Sequence, residues 1–118
     1  MPMVQTGQIL DRESALSRVG GDVELLREIG ALFLEECPTA MDELRQAVVA
    51  RDANLIEHRA HSLKGSVATF GAGAAAAAAL ELERQGHNSD FHQVESSLQR
   101  FELSVAMLCS DLRALIAE

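Results

Sequence analysis

In the last third of the chain the apolar residues Phe91, Val94, Leu98, Phe101, Val105, Leu108, Leu112 and Leu115 follow one another at alternating spacings of three and four. That period puts them on one stripe of a helix, the seam of a bundle or coiled coil. Leu103 and Met107 widen the stripe in its middle, which favours several helices around a shared core over a two-stranded coil. Asp90 precedes the seam as an N-cap, with Gln93 in the reciprocal capping position. The same period recurs upstream. Val23, Leu26, Ile29, Phe33, Cys37, Ala40, Leu44 and Val48 form one side of a long helix capped by Asp22. Its other side carries Glu24, Arg27, Glu28, Glu35, Glu36, Asp42 and Glu43. Pro38 falls inside this pattern and either kinks the helix or restarts it at a first-turn position.

Between these two lies a helical hairpin. Asp52 caps a helix from Ala53 to Phe70, whose stripe is Ile56, Ala60, Leu63, Val67 and Phe70. Gly71-Ala72-Gly73 is a tight connection with Gly71 as the C-terminal cap. An alanine-rich helix then runs from Ala74 to about Gln85, and its small side chains let two helices come close. Gly86-His87-Asn88-Ser89 reads as a loop. Near the start, Asp11 caps a short helix from Arg12 to Val19 that lids one end through Ala15, Leu16 and Val19, and Gly20-Gly21 stops it. Met1 to Gln8 reads as a flexible lead-in, and residues 9–118 as one domain. No stretch alternates with period two, so no strand is expected. Short loops between four main helices predict an all-α fold: an antiparallel up-down-up-down four-helix bundle with a short additional N-terminal helix.

Composition narrows the function. The 118 residues suit one domain, and 47% apolar residues supply one core. No apolar run is long enough to span a bilayer, and no secretion signal is visible. A formal net charge of −8 argues against binding to nucleic acid or to an anionic membrane surface. With no Trp or Tyr there is little to stack on bases. Cys37 and Cys109 are isolated in sequence and read as buried small apolar residues rather than a disulfide, which fits a cytoplasmic setting.

The stretch from Glu57 to Gly71 carries the chemistry. His61 lies well off the apolar stripe of its helix and points outward. Its neighbours on that surface are Glu57, His58, Lys64 and Gly65, with Ala68 a turn further on. Gly65 in mid-helix costs about 1 kcal/mol relative to alanine, and close approach by another molecule is a reason to keep it. An imidazole titrates near neutrality, so a neutral nucleophile is present at cellular pH. Lys64, one turn on, offers a positive charge to an anionic group. His61 and Glu83 stand equally far from Ala72 in an antiparallel hairpin and should sit level. Glu83 can then accept a hydrogen bond from Nδ1–H of His61 and leave Nε2 free to attack; it can equally pair with an arginine.

The His-x-x-Lys-Gly pattern at His61, Lys64 and Gly65, followed by Phe70-Gly71, resembles the histidine phosphotransfer (HPt) domain of bacterial two-component phosphorelays. The resemblance extends from about Ile9 to Ile116. It implies that His61 is the phosphoacceptor, that Lys64 stabilises the phosphoryl charge, and that Glu83 orients the ring, since an acidic residue at this spacing is found in many members. It further implies a response-regulator receiver domain as partner, bringing its own phosphorylated aspartate and Mg²⁺, and a sensor or hybrid histidine kinase upstream. Glu57, His58, Gly65, Ser66 and Ala68 would form the docking surface. The chain has no P-loop and no kinase-like motif set, so it is expected to carry the phosphoryl group without binding ATP or any cofactor of its own. Most such domains are monomers.

His58 and His61 stand one turn apart, but without a third and fourth ligand at sensible spacing no metal site is expected. His87 and His92 flank the loop before the last helix and read as surface residues. The competing interpretation of the whole is a non-catalytic helical interaction module that only binds receivers or other helices.

Overall fold

Asp11, Asp22 and Asp52 start the first three helices, each accepting a hydrogen bond from the backbone N–H three residues on, at Ser14, Leu25 and Leu55. These caps satisfy amides that the first turn of a helix leaves unpaired. The computed structural model describes residues 9–118; the lead-in Met1 to Gln8 lies outside them. Five helices follow in order: α1 (Arg12–Arg18), α2 (Val23–Val49), α3 (Ala53–Ala68), α4 (Gly73–His87) and α5 (Val94–Ala117). The described residues contain no strand.

Each of the four long helices packs on two others. α3 lies most extensively against α4, while α2 touches α3 and α5, and α5 closes on α4. Bonds across these contacts fix the pairing. Arg45 and Glu102 join α2 to α5, as does Arg27 Nε donating to the Leu115 carbonyl at 3.4 Å. Arg59 faces Glu43 at 3.6 Å between α3 and α2. Arg100 meets Glu81 at 2.5 Å, and Gln85 donates to the Ser97 hydroxyl at 2.9 Å, between α4 and α5.

The stripes read from sequence become the core. Leu26, Leu44, Ile56, Phe101, Leu108 and Leu112 are fully enclosed, and Leu82 of α4, outside any expected stripe, joins them. Phe33 and Phe70 meet edge to face, ring centres 5.4 Å apart, and close the α2–α3 side. α2 also buries Gly30, Met41 and Ala47, which the expected stripe omitted. Ala72, Ala75 and Ala79 are buried, and the alanine run brings α3 and α4 together as anticipated. α2 runs unbroken through Pro38, which settles the two alternatives in favour of one helix.

Several boundaries differ from expectation. α1 ends at Arg18, with Val19 as its cap. α3 ends at Ala68, so Phe70 enters the core from the turn. Gly71, at φ +65°, makes that turn; a Cβ there would stand 2.7 Å from Cβ of Asp11. α4 continues through Gly86 and His87, which were expected in a loop. α5 begins at Val94 rather than after Asp90: Asp90 instead accepts from the backbone N–H of His92, and Gln93 occupies the cap position with no side-chain capping bond. Leu103 does not widen the seam; it is 66% exposed, facing away from the core. Cys37 and Cys109 are buried and free as expected, yet they are not isolated. They meet across α2 and α5, and contact with Cys109 followed by burial pushes the Cys37 thiol up.

At the end remote from the α4–α5 loop, the Asp111 carboxylate accepts from the backbone N–H of Ile9 at 2.7 Å and Leu10 at 3.0 Å. Arg12 and Glu118 add an exposed ion pair at 2.6 Å, a weak contributor. No helix among the described residues is long and apolar enough to cross a membrane.

Candidate functional site

Because Ile56, Ala60, Leu63 and Val67 turn the stripe of α3 inward, His61 is forced to the outer surface, where its side chain is 67% exposed. The turn at Gly71–Gly73 folds α4 back along α3 and sets Glu83 beside it. The His61 Nδ1 lies 3.0 Å from Glu83 Oε2, the pairing read from equal distances about Ala72. The alternative, a Glu83–arginine pair, is not formed among the described residues. The other carboxylate oxygen, Oε1, stands 2.7 Å from Lys64 Nζ. That contact is short but poorly aligned for a hydrogen bond, so charge holds it.

These neighbours decide the tautomer. The Lys64 ammonium, and after it His61, hold the Glu83 carboxyl below the usual carboxylate range against the opposing effect of burial. An ionised carboxylate only accepts, so Nδ1 must be the donor. In the neutral ring the lone pair then resides on Nε2, which faces solvent. Glu83 thus contacts two groups, the imidazole through Oε2 and the ammonium one helical turn away through Oε1.

The surface next to the ring is low. A Cβ added at Gly65 would meet nothing within 4 Å, so nothing within the described chain requires glycine there. The Ser66 and Thr69 hydroxyls turn back to donate to the carbonyls of Ser62 and Gly65, each at 3.2 Å. Such back-bonding keeps polar side chains close to the helix. His58, Gly65 and Ser66 are exposed and Ala68 is half-buried. Alongside, α2 and α3 border a shallow groove lined by Ile29, Leu32, Phe33, Thr69 and Phe70, with Leu32 52% exposed on its rim.

One expected surface residue occupies a different setting. Glu57 accepts from, or pairs with, His87: its Oε2 lies 3.0 Å from His87 Nδ1. His87, expected as a surface residue of the loop, stands instead on the last turn of α4. The signal was available, because Glu57 and His87 are also equidistant from Ala72. Gly86 makes the contact possible. A Cβ there would be 2.6 Å from the Glu57 backbone nitrogen and 2.9 Å from the Ala53 carbonyl oxygen, so the end of α4 rests directly on the start of α3. His92 is exposed, as expected.

Residues 28–118 match the family model of the Hpt domain. Among solved structures, the chain is similar to histidine-containing phosphotransfer protein B (HptB) from Pseudomonas aeruginosa PAO1. The TM-score is 0.85 at 21% sequence identity, over 92% of this chain and 95% of that one. That likeness is one of fold. No match is found among curated proteins.

Proposed function

The chain belongs to the Hpt domain family, whose members pass phosphoryl groups through histidine in phosphorelays, and from that premise we propose that His61 is the acceptor, Lys64 its charge partner and Glu83 its positioning residue. The observation that carries this assignment is the imidazole of His61, two-thirds exposed, tied at Nδ1 to Glu83, with open space above Gly65 one turn away. The transfer balances simply. The Nε2 lone pair attacks the phosphorus of a receiver phospho-aspartate, the bond between phosphorus and the aspartate oxygen breaks, and the carboxylate leaves. The Nδ1 proton stays on the ring, and Glu83 offsets the charge of the phosphoimidazolium. Lys64 turns from Glu83 to the phosphoryl oxygens, since phosphoryl transfer rests on positioning and charge neutralisation. Delivery to a second receiver is the reverse step.

The rest of the reading follows from the same face. A receiver domain docks over Gly65, Ser66 and Ala68, with Glu57 and His58 at the margin, and brings the Mg²⁺; no residue of this chain is assigned to a metal or other cofactor. A sensor or hybrid histidine kinase feeds the relay. We read residues 9–118 as one domain whose four long helices form an up-down-up-down antiparallel bundle. The cross-helix pairs Glu43–Arg59, Arg45–Glu102 and Glu81–Arg100 support this, each joining neighbours in opposite register. A monomer in the cytoplasm is the expected form.

The test is incubation with a phosphorylated receiver domain. Acid-labile, base-stable phosphate should appear on the protein and be lost in His61→Gln, with helical circular dichroism unchanged. Receiver-driven labelling that persists in that variant would move the acceptor elsewhere. No labelling by a broad panel of receivers would leave a helical module that binds without accepting phosphate.

A further inference from the structure

The hairpin of α3 and α4 carries the histidine–carboxylate arrangement twice. In one, the histidine is on α3 and the glutamate on α4; in the other, Glu57 is on α3 and His87 on α4. Both Nδ1–carboxylate distances are 3.0 Å. Both rings are exposed, 67% for His61 and 70% for His87. The two glutamates are only partly exposed, at 20% and 31%, so each presents its acceptor from a fixed base beside the helix surface. Each sequence segment reads Glu-x-x-x-His, Glu57 to His61 and Glu83 to His87, and the antiparallel turn crosses them into two pairs of opposite polarity.

The second pair is built rather than incidental. It exists because Gly86 lets the last turn of α4 rest on the backbone of Ala53 and Glu57. It differs from the first in two ways. Glu57 has no lysine partner among the described residues, whereas Glu83 has Lys64. Nor is there an open glycine on the exposed surface beside His87, since Gly86 is buried. The first arrangement offers an ammonium and a bare glycine surface to a bulky protein donor; the second has neither.

We propose that His87 is a second phosphoryl-accepting imidazole, positioned by Glu57 and loaded by small donors of the acyl phosphate or phosphoramidate class rather than by a docked protein. The Nε2 lone pair attacks the donor phosphorus, and the bond from phosphorus to the leaving group breaks, releasing acetate from acetyl phosphate or ammonia from phosphoramidate. The Nδ1 proton stays on the ring against Glu57, which offsets the new positive charge. The proposal does not depend on receiver-driven transfer to His61.

The molecule contains its own controls. His58 and His92 are exposed, and neither imidazole has a side-chain partner among the described residues. The intact protein is treated with phosphoramidate, and phosphate at each histidine is followed by ³¹P NMR and by mass spectrometry at high pH. His87 should label about five- to tenfold faster than His58 and His92, the effect of one charge-assisted hydrogen bond at an exposed site. In His61→Gln the His87 signal should remain; in His87→Gln only that signal should vanish. In Glu57→Ala, with helical circular dichroism unchanged, the His87 rate should fall to that of the two controls. A His87 rate no greater than theirs, or one indifferent to Glu57→Ala, overturns the proposal. Failure of receiver transfer to His61 would overturn the role proposed for His61 and leave that of His87 standing.

Discussion

Replacing Gly65 by glutamine should make the protein more stable and a poorer relay. Gly65 sits inside α3 with nothing within 4 Å of the space a Cβ would fill. A residue of good helix propensity therefore enters without clash and recovers about 0.5–1 kcal/mol that glycine forfeits. For a chain of this length the unfolding entropy is about 250 cal/mol/K, so Tm should rise by about 2–4 °C. Glutamine is uncharged and leaves Lys64 and Glu83 with their partners. It is also long enough to hold a docked protein away from the ring. Misplacing the reacting atoms by about 1 Å costs on the order of 100-fold in rate, so receiver-to-His61 transfer should fall by about 10- to 100-fold. Two assays separate the effects. Calorimetry reads the stability, and rapid-quench transfer from a phosphorylated receiver reads the relay. Labelling of His61 by phosphoramidate, which needs no docking surface, should be unchanged. A lower Tm would show that the space above Gly65 is not open. Unchanged receiver transfer would show that the glycine is not kept for a partner.

Gly86 should behave in the opposite way. Gly86→Ala drives a methyl into the α3 backbone, at 2.6 Å and 2.9 Å from atoms that no rotamer change can move, so it should destabilise by about 1–2 kcal/mol in urea titration despite better helix propensity; equal or greater stability would refute the close approach. Glu83→Gln should slow phosphoramidate labelling of His61 by about fivefold, through loss of charge on the bond at Nδ1. The same variant has a pH signature. The Glu83 carboxyl is held below its usual range in the folded protein, first by Lys64 and then by His61. Its contribution to stability is therefore present above the unfolded value of about 4.3 and disappears as pH falls through the lower folded value. Urea midpoints of wild type and Glu83→Gln should differ at pH 7 and draw together as the pH falls below the usual carboxylate range; a constant gap would mean that the charge is not the cause.

The chain's amphipathic periodicity carried most of the fold. Buried positions such as Leu26, Ile56, Phe101 and Leu108 were fixed by spacing alone, because a helix has one inward stripe and these residues occupy it. The His61–Glu83 pair was legible for a related reason, since an antiparallel hairpin puts equidistant residues level. The same arithmetic reaches Glu57 and His87, but only if α4 extends through Gly86. A glycine next to a histidine and an asparagine signals a loop locally, and the helix continues because Gly86 is the residue that lets α4 meet α3. The start of α5 misled in a similar way. Asp90 with Gln93 has the composition of a capping box, yet Asp90 spends its carboxylate on the amide of His92 in a turn. Long-range bonds left no local trace. Asp111 holding the amides of Ile9 and Leu10, and Cys37 meeting Cys109, join residues far apart in sequence that only the packed helices bring together.

Pro38 has a mechanical consequence. α2 passes through it as one helix, but proline brings no amide hydrogen, so the Leu34 carbonyl loses the rung that would have tied it to the next turn. The longest rod of the molecule therefore has one stitch dropped near its midpoint, a turn away from Phe33 and Leu32 at the groove beside α3. Sharp bends in helices fall at such gaps. The α2 wall of the groove therefore stands next to the missing rung, while His61 is carried on α3, whose ladder has no proline to open one.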